Sequence, residues 1–295
     1  MTNTSFDPVT ALDTVAGAYR TFVSSFQKFK NPVIKEWIDR KIEEGTLLYK
    51  GPYIELARRY ADGDSFATLT GEHILHPETP QYFTRDPADR SSPPVRLYRH
   101  QSDAIRSILS GKNTVVTSGT GSGKSFCFAI PVVSTCLEMQ DRGLRGIKAI
   151  LVYPMNALAN SQYDDLAARL DGSGLKVAIY TGDTPHTYTE ALTTYRERTT
   201  RPAPYDSELI SREEIQRSPP DILITNYVML EYILTRFEDK ILFPPENLGI
   251  LKYLVLDEIH TYTGKKGADT AYLIRRLKQH TGTTGTLRCI GTSAT

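Results

Sequence analysis

The sequence predicts an α/β fold: a mostly parallel sheet covered by helices, preceded by a mainly helical N-terminal region. Three observations carry this. Short runs rich in β-branched and apolar residues recur from residue 113 onward. Most intervals between them hold a helical pattern, and apolar strands alternating with helices imply a parallel sheet buried on both faces. Upstream of Pro94 apolar residues fall at helical spacing instead, which divides the chain into residues 1–94 and 95–295.

Leu12, Val15, Tyr19, Phe22, Val23 and Phe26 step by three and four residues and so share one helical face. Pro32 opens a second helix with Val33, Ile34, Trp37, Ile38 and Ile42 as its apolar positions. From Gly45 to Pro94, stretches rich in Pro, Asp and Ser read as loops with short helical pieces. The β-rich runs are "NTVVTS" (113–118), "KAILVYP" (148–154), "KVAIYTG" (176–182), "DILITN" (221–226), "YLVLDE" (253–258) and "TLRCIGT" (286–292). The interval from Asp183 to Pro220 is longer than an ordinary connection. It is expected to hold a helix near Glu190–Arg198 within a solvated surface insertion. Five arginines against six carboxylates between Thr184 and Pro219 give nucleic acid no electrostatic support there.

Composition limits the function classes. The chain has 295 residues, 40% of them hydrophobic and 23% charged, with a net charge of +1. That excludes a surface coated in positive charge, so any nucleic acid must be held by a local track of donors. Three widely spaced cysteines, Cys127, Cys136 and Cys289, give no zinc framework and suit a reducing compartment. No apolar run reaches membrane-spanning length, and the N-terminus lacks the regions of a signal peptide. The expected location is cytoplasmic, with no membrane partner.

The strongest local signal is "TVVTSGTGSGKSFCFAIPVV". A strand runs into Ser118, Gly119, Thr120, Gly121, Ser122, Gly123, Lys124 and Ser125, and a helix follows. Glycines let the backbone curl until successive N–H groups face inward around phosphate oxygens, and the helix N-terminus adds partial positive charge. In such a loop Lys124 reaches the β- and γ-phosphates and the Ser125 hydroxyl ligates Mg²⁺. Ser118 stands where this motif usually begins with Gly. A flexible linker would not carry Gly-Lys-Ser at a strand-to-helix junction. Pro131, about two turns into the helix, is expected to kink it.

A phosphate loop needs an acid at the end of a second strand, and "YLVLDEIH" provides it. Asp257 is assigned to Mg²⁺, through water, because this ion keeps much of its hydration shell. Glu258 is then placed to orient and deprotonate the water attacking the γ-phosphorus. His260 can hydrogen-bond between this strand and its neighbour. Ligands of parallel sheets bind beyond the carboxyl ends of the strands, and each of these clusters follows a strand.

"SGTGSGKS", "LDEIH" and the terminal "GTSAT" together resemble the first motor domain of superfamily 2 helicases and translocases of the DExH type, a RecA-like P-loop fold, over roughly Pro94 to Thr295. The resemblance implies ATP with Mg²⁺ as cofactors. It implies that Gln101, in "LYRHQSDAI", reads the adenine edge with Arg99 or Tyr98 nearby. It implies nucleic-acid backbone contacts at Asn156, Gly182, Thr225 and Asn226, in "YPMNALANSQ", "YTGD" and "TNYVML". Asn156 stands where many relatives have Arg, so its contact is uncharged. His260, Ser293 and Thr295 would couple nucleotide state to domain movement. The wording of these segments, and of "LLYKGPYIELARRYADGDSF" before the motor, is similar to large bacterial helicases of the MrfA, DISARM and Druantia group. That implies DNA as the track, anti-phage defence or repair as the setting, and protein partners in such a complex. Helicases of this type use a second motor domain that supplies arginine fingers. The sequence ends at "GTSAT", so a fragment of a longer polypeptide is expected, with little turnover by residues 1–295 alone. An ATP-gated scaffold, or a translocase that never separates strands, shares the same motifs. Nucleic-acid stimulation of ATPase activity separates a motor from a scaffold.

Overall fold

The computed structural model describes residues 7–26, 29–44, 59–87, 89–199 and 201–294. Thr295 and most of the 47–66 segment lie outside the described residues. The chain forms two compact units, Met1–Arg59 and Tyr60–Thr295.

The first unit holds α1 (Pro8–Phe26) and α2 (Pro32–Glu43). Asn31 caps α2 by accepting from the backbone N–H groups of Val33 and Ile34, and Pro32 occupies the first turn, where no N–H is needed.

The second unit is built on seven parallel strands in the order β1-β7-β6-β2-β5-β3-β4. They are β1 (Thr114–Thr117), β2 (Ala149–Tyr153), β3 (Val177–Ile179), β4 (Glu208–Leu209), β5 (Ile222–Asn226), β6 (Tyr253–Leu256) and β7 (Arg288–Ser293). Five of these fall within the runs the sequence marks, and β7 overruns its run by Ser293 alone. Side chains alternate between faces along each strand. Ala149, Leu151 and Tyr153 of β2 therefore join one apolar cluster, while Ile150 and Val152 join the other. The first cluster packs under α5 (Arg99–Leu109), α6 (Lys124–Asp141) and α7 (Asn156–Leu170). The second packs under α9 (Arg212–Arg217), α10 (Tyr227–Thr235) and α11 (Gly264–His280). Both faces are covered at the central strands, so β2, β5 and β6 are buried almost throughout, as a parallel sheet requires, while the outer strand β1 leaves Val115 exposed. Helix α6 continues through Pro131 to Asp141.

Packing crosses Pro94. Phe66 and Leu69 of α3 (Phe66–Gly71), Tyr82 of α4 (Thr79–Tyr82), and Phe83 and Leu97 belong to the same cluster as α5 to α7. Arg106 of α5 reinforces this brace with ion pairs to Asp64 at 2.8 Å and Glu72 at 2.6 Å.

The interval 183–220 contains α8 (Tyr188–Arg198), β4 and α9. The expected helix is present. The seventh strand is not anticipated, because two residues leave no β-pattern to read. Glu208 of β4 is buried, and its carboxylate accepts from the Tyr195 hydroxyl at 2.9 Å and the Tyr205 N–H at 2.7 Å, with Arg201 at 3.4 Å. This part of the interval is therefore packed into the fold.

At the amino-terminal edge of the sheet, Lys148 is buried and ion-paired with Asp221, which also accepts the Lys176 N–H at 2.7 Å. Removing one partner of a buried pair strands the other. Lys148→Ala is expected to destabilise the domain by about 3 kcal/mol, read as a lowered urea unfolding midpoint. Among the described residues no helix is long and apolar enough to cross a membrane.

Candidate functional site

Because every strand runs the same way, the segments after β1, β2, β3, β5, β6 and β7 share one edge. β7 lies between β1 and β6, so the loop after β1 and the acids after β6 stand about two strand spacings apart, roughly 10 Å.

The loop after β1 turns on Gly121 and Gly123, both left-handed at φ +74° and +72°. Gly123 is doubly constrained, since a Cβ there would lie 2.6 Å from the Gln101 amide nitrogen. Ser118 and Ser122 hydrogen-bond through their hydroxyls at 2.6 Å, so the serine in the usual glycine position fastens the loop. Lys124 opens α6 and donates to the carbonyls of Ser118 at 2.9 Å and Gly119 at 3.1 Å. Ser125 follows in the same first turn.

β6 delivers Asp257 and Glu258 to the same edge, and β7 ties both down. The Thr292 hydroxyl donates to the Asp257 carboxylate. The Ala294 N–H donates to Glu258 at 3.3 Å. His260 lies 3.2 Å from the Glu258 carboxylate and 3.1 Å from the Ser293 hydroxyl, bridging the two strand ends. The Ser118 N–H donates to the Ser293 carbonyl at 3.2 Å, which joins the phosphate-loop side to the same strand. Glu258 holds a left-handed backbone at φ +50°, uncommon for a residue with a side chain. Burial pushes the Asp257 carboxyl up from its usual range. The Thr292 hydrogen bond pulls it back down, Glu258 pushes it up again, and the Lys124 charge lowers it.

A hydroxyl at Ser125 and a carboxylate at Asp257 are hard oxygen donors. The described residues hold no cluster of three or more His, Cys, Asp or Glu able to form a protein-only metal cage. Such a sparse set fits Mg²⁺, which binds through one or two protein ligands together with substrate phosphates and water.

Gly291 permits the approach of the acidic turn, since a Cβ there would stand 2.9 and 3.0 Å from two carbons of Ile259. Gly291→Val is expected to push that turn away, an overpacking cost of about 1–3 kcal/mol. The check is a fall of about tenfold or more in ATP turnover by the full-length protein with circular dichroism unchanged.

Gln101 is buried, and both ends of its amide are engaged within the chain. It accepts from the Tyr98 N–H at 2.8 Å and donates to the Gly123 carbonyl at 2.9 Å. In this arrangement it links α5 to the phosphate loop. Arg99 is exposed, 3.8 Å from Asp103. The surface beside the loop is aromatic: the rings of Tyr60, Tyr98 and His100 lie within 5.1–5.8 Å of one another. His100 also contacts the Ser122 carbonyl at 3.0 Å. The sequence does not single out Tyr60 and His100, because an aromatic pair about forty residues apart gives no local signal.

Along the edge, Asn226, Asn156 and Asp183 form one chain of hydrogen bonds. The Asn226 amide donates to Asn156 at 3.0 Å, and the Asn156 amide donates to Asp183 at 2.8 Å. The segments after β2, β3 and β5 are thus one connected surface. Gly182 is exposed on it, with no atom within 4 Å of where a Cβ would stand. Thr225 faces inward instead: it is fully buried, and its hydroxyl donates to the Tyr180 carbonyl at 2.7 Å. Its geometry suits holding the Tyr180–Asp183 segment in place more than touching a strand.

Residues 98–295 match the family model described as DEAD/DEAH box helicase. The chain belongs to this family. Its sheet and edge motifs are those of a RecA-like helicase domain. The chain is 28% identical to Druantia protein DruE of Escherichia coli strain UMEA 4076-1, across 86% of this chain and 18% of that protein. It is 30% identical to the ATP-dependent helicase YprA of Bacillus subtilis strain 168, across 62% of this chain and 20% of that protein. The chain therefore spans about a fifth of the length of these helicase relatives. Among solved structures it is similar to the DUF1998 helicase MrfA bound to DNA and AMPPNP. There the TM-score is 0.57 and the identity 25%, over 81% of this chain and 28% of that one.

Proposed function

We propose that the chain supplies the first ATP-binding motor domain, residues 95–295, and an N-terminal accessory region, residues 1–94, of which Phe66, Leu69, Tyr82 and Phe83 pack into the motor's core, of an ATP-dependent DNA helicase or translocase. The observation that carries this is the phosphate loop and the Asp257–Glu258 pair on one sheet edge, each fastened to β7 between them.

In this reading the backbone amides from Gly119 to Ser125 cradle the phosphates, and Lys124 leaves the Ser118 and Gly119 carbonyls to meet the γ-phosphate. Ser125 and Asp257 hold Mg²⁺, which supplies charge neutralisation to the phosphoryl oxygens. Glu258 takes the proton of the attacking water. Tyr60, Tyr98 and His100 offer a stacking surface for the base, with Gln101 and Arg99 at its margin. Asn156, Gly182 and Asn226 meet the backbone of a single strand through uncharged groups, which hold phosphates without reading sequence. His260 and Ser293 pass the state of the acid pair to β7. DNA as the track is supported by the similarity to MrfA, and a place in anti-phage defence by the similarity to DruE.

The test is ATP turnover by the full-length protein with and without single-stranded DNA. A motor is stimulated many-fold by the strand and loses the stimulated rate with Glu258→Gln. Stimulation by RNA alone would remove the DNA assignment, and indifference to both nucleic acids would remove the motor.

A further inference from the structure

The interval 183–220 reads in sequence as a solvated insertion with no charge suited to nucleic acid. Its helix α9 nevertheless opens on a side chain aimed at the proposed strand-binding edge. Arg212 donates from its Nη2 to the Thr181 carbonyl at 2.8 Å and from its Nε to the Thr184 carbonyl at 3.0 Å. Its guanidinium lies 4.9 Å from the centre of the Tyr180 ring. The Arg212 N–H donates to the Pro185 carbonyl at 2.9 Å. One planar cation thus spans both sides of the turn that carries Gly182 and Asp183, a geometry a fork of fixed donors suits and a lysine does not.

The rest of the turn is tied from the same inner side. Thr225 holds the Tyr180 carbonyl at 2.7 Å, and the Thr184 hydroxyl accepts the Thr181 N–H at 2.9 Å while donating to the Ile179 carbonyl at 3.0 Å. The Gly182 N–H has no acceptor among the described residues, and Gly182 opens onto space. The turn therefore has two faces. The Tyr180, Thr181 and Thr184 carbonyls are engaged by Thr225 and Arg212 on one side, and the Gly182 N–H remains at the exposed apex. A phosphate meets a donor there only while those carbonyls, which would repel it, are so engaged.

We propose that Arg212 is a positioning residue for nucleic-acid binding: from the insertion, without touching the strand, it holds the Thr181–Thr184 turn by the carbonyls at its two ends and so keeps the Gly182 N–H presented to a backbone phosphate. This rests on the reading of the edge as a strand-binding surface. It gives the insertion a task that its net negative charge does not forbid.

The experiment compares the full-length wild type with Arg212→Gln, Arg212→Lys and Arg217→Gln, the last an exposed arginine on the same helix. Binding of a fluorescent single-stranded oligonucleotide, ATP turnover across strand concentrations, affinity for a fluorescent ATP analogue and thermal midpoint are measured for each. Arg212→Gln is expected to weaken strand binding and raise the half-saturating strand concentration by about tenfold, as loss of a charge-assisted hydrogen bond implies. Turnover at saturating strand and nucleotide affinity stay at wild-type values. Arg212→Lys, able to reach one carbonyl, recovers part of the loss, and Arg217→Gln matches wild type. Equal strand affinity in wild type and Arg212→Gln overturns the inference alone. A parallel fall in strand affinity, nucleotide affinity and thermal midpoint also overturns it, by making Arg212 a general folding residue. A wild type that binds no strand overturns the underlying reading of the edge.

Discussion

Glu258→Gln in the full-length protein is expected to lower strand-stimulated ATP turnover by about 10²–10⁴-fold, the usual contribution of a positioned general base. Nucleotide affinity should change little, because Gln keeps an oxygen able to accept the Ala294 N–H that now meets Glu258 at 3.3 Å. What Gln cannot do is take a proton. The strained backbone at Glu258, φ +50°, aims this side chain and is unaltered by the substitution. Single-turnover measurement with radiolabelled ATP separates the two effects: bound ATP persists while phosphate release fails. If turnover survives within a few fold, the base is elsewhere and Glu258 serves only to anchor β7.

The second large effect is expected at Lys124. Its ammonium now bridges the Ser118 and Gly119 carbonyls at 2.9 and 3.1 Å, which keeps it folded over the loop it is proposed to serve. Lys124→Ala removes a charge-assisted contact to the phosphates while leaving the left-handed turns at Gly121 and Gly123 and the α6 N-terminus intact. Affinity for a fluorescent ATP analogue is expected to fall by about 10²-fold, since hydrogen bonds between ionised partners are roughly twice as strong as neutral ones. The thermal midpoint should hold, because no buried group loses its partner. Unchanged affinity would remove Lys124 from the phosphate site.

Much of this was legible in the sequence because strands, glycine turns and helix starts leave local signatures. Six strands show as β-rich runs, and Gly121, Gly123 and Lys124 mark their own conformation. Parallel direction follows from the strand–helix alternation, and it brings Ser125, Asp257, Asn156 and Gly182 to one edge. Side-chain direction and distant pairing were not legible. Thr225 and Asn226 are adjacent, yet the pleat turns one into the core and the other onto the edge. Gln101 carries the expected motif, but its amide is consumed by Tyr98 and Gly123. Thr292 ties Asp257 across 35 residues, and Arg212 braces a turn about 30 positions upstream. Such contacts depend on which strands lie side by side, and no window of sequence contains that order.

A magnesium-bound triphosphate is proposed to span the space between the phosphate loop and the acid pair. The most direct measurement is calorimetric titration of AMPPNP into wild type and Asp257→Asn, each with and without Mg²⁺. Mg²⁺ is expected to tighten wild-type binding by about tenfold or more, and Asp257→Asn is expected to lose most of that gain while keeping its metal-free affinity. Equal gains from Mg²⁺ in both proteins would mean that the acids after β6 and the loop after β1 do not serve one ligand.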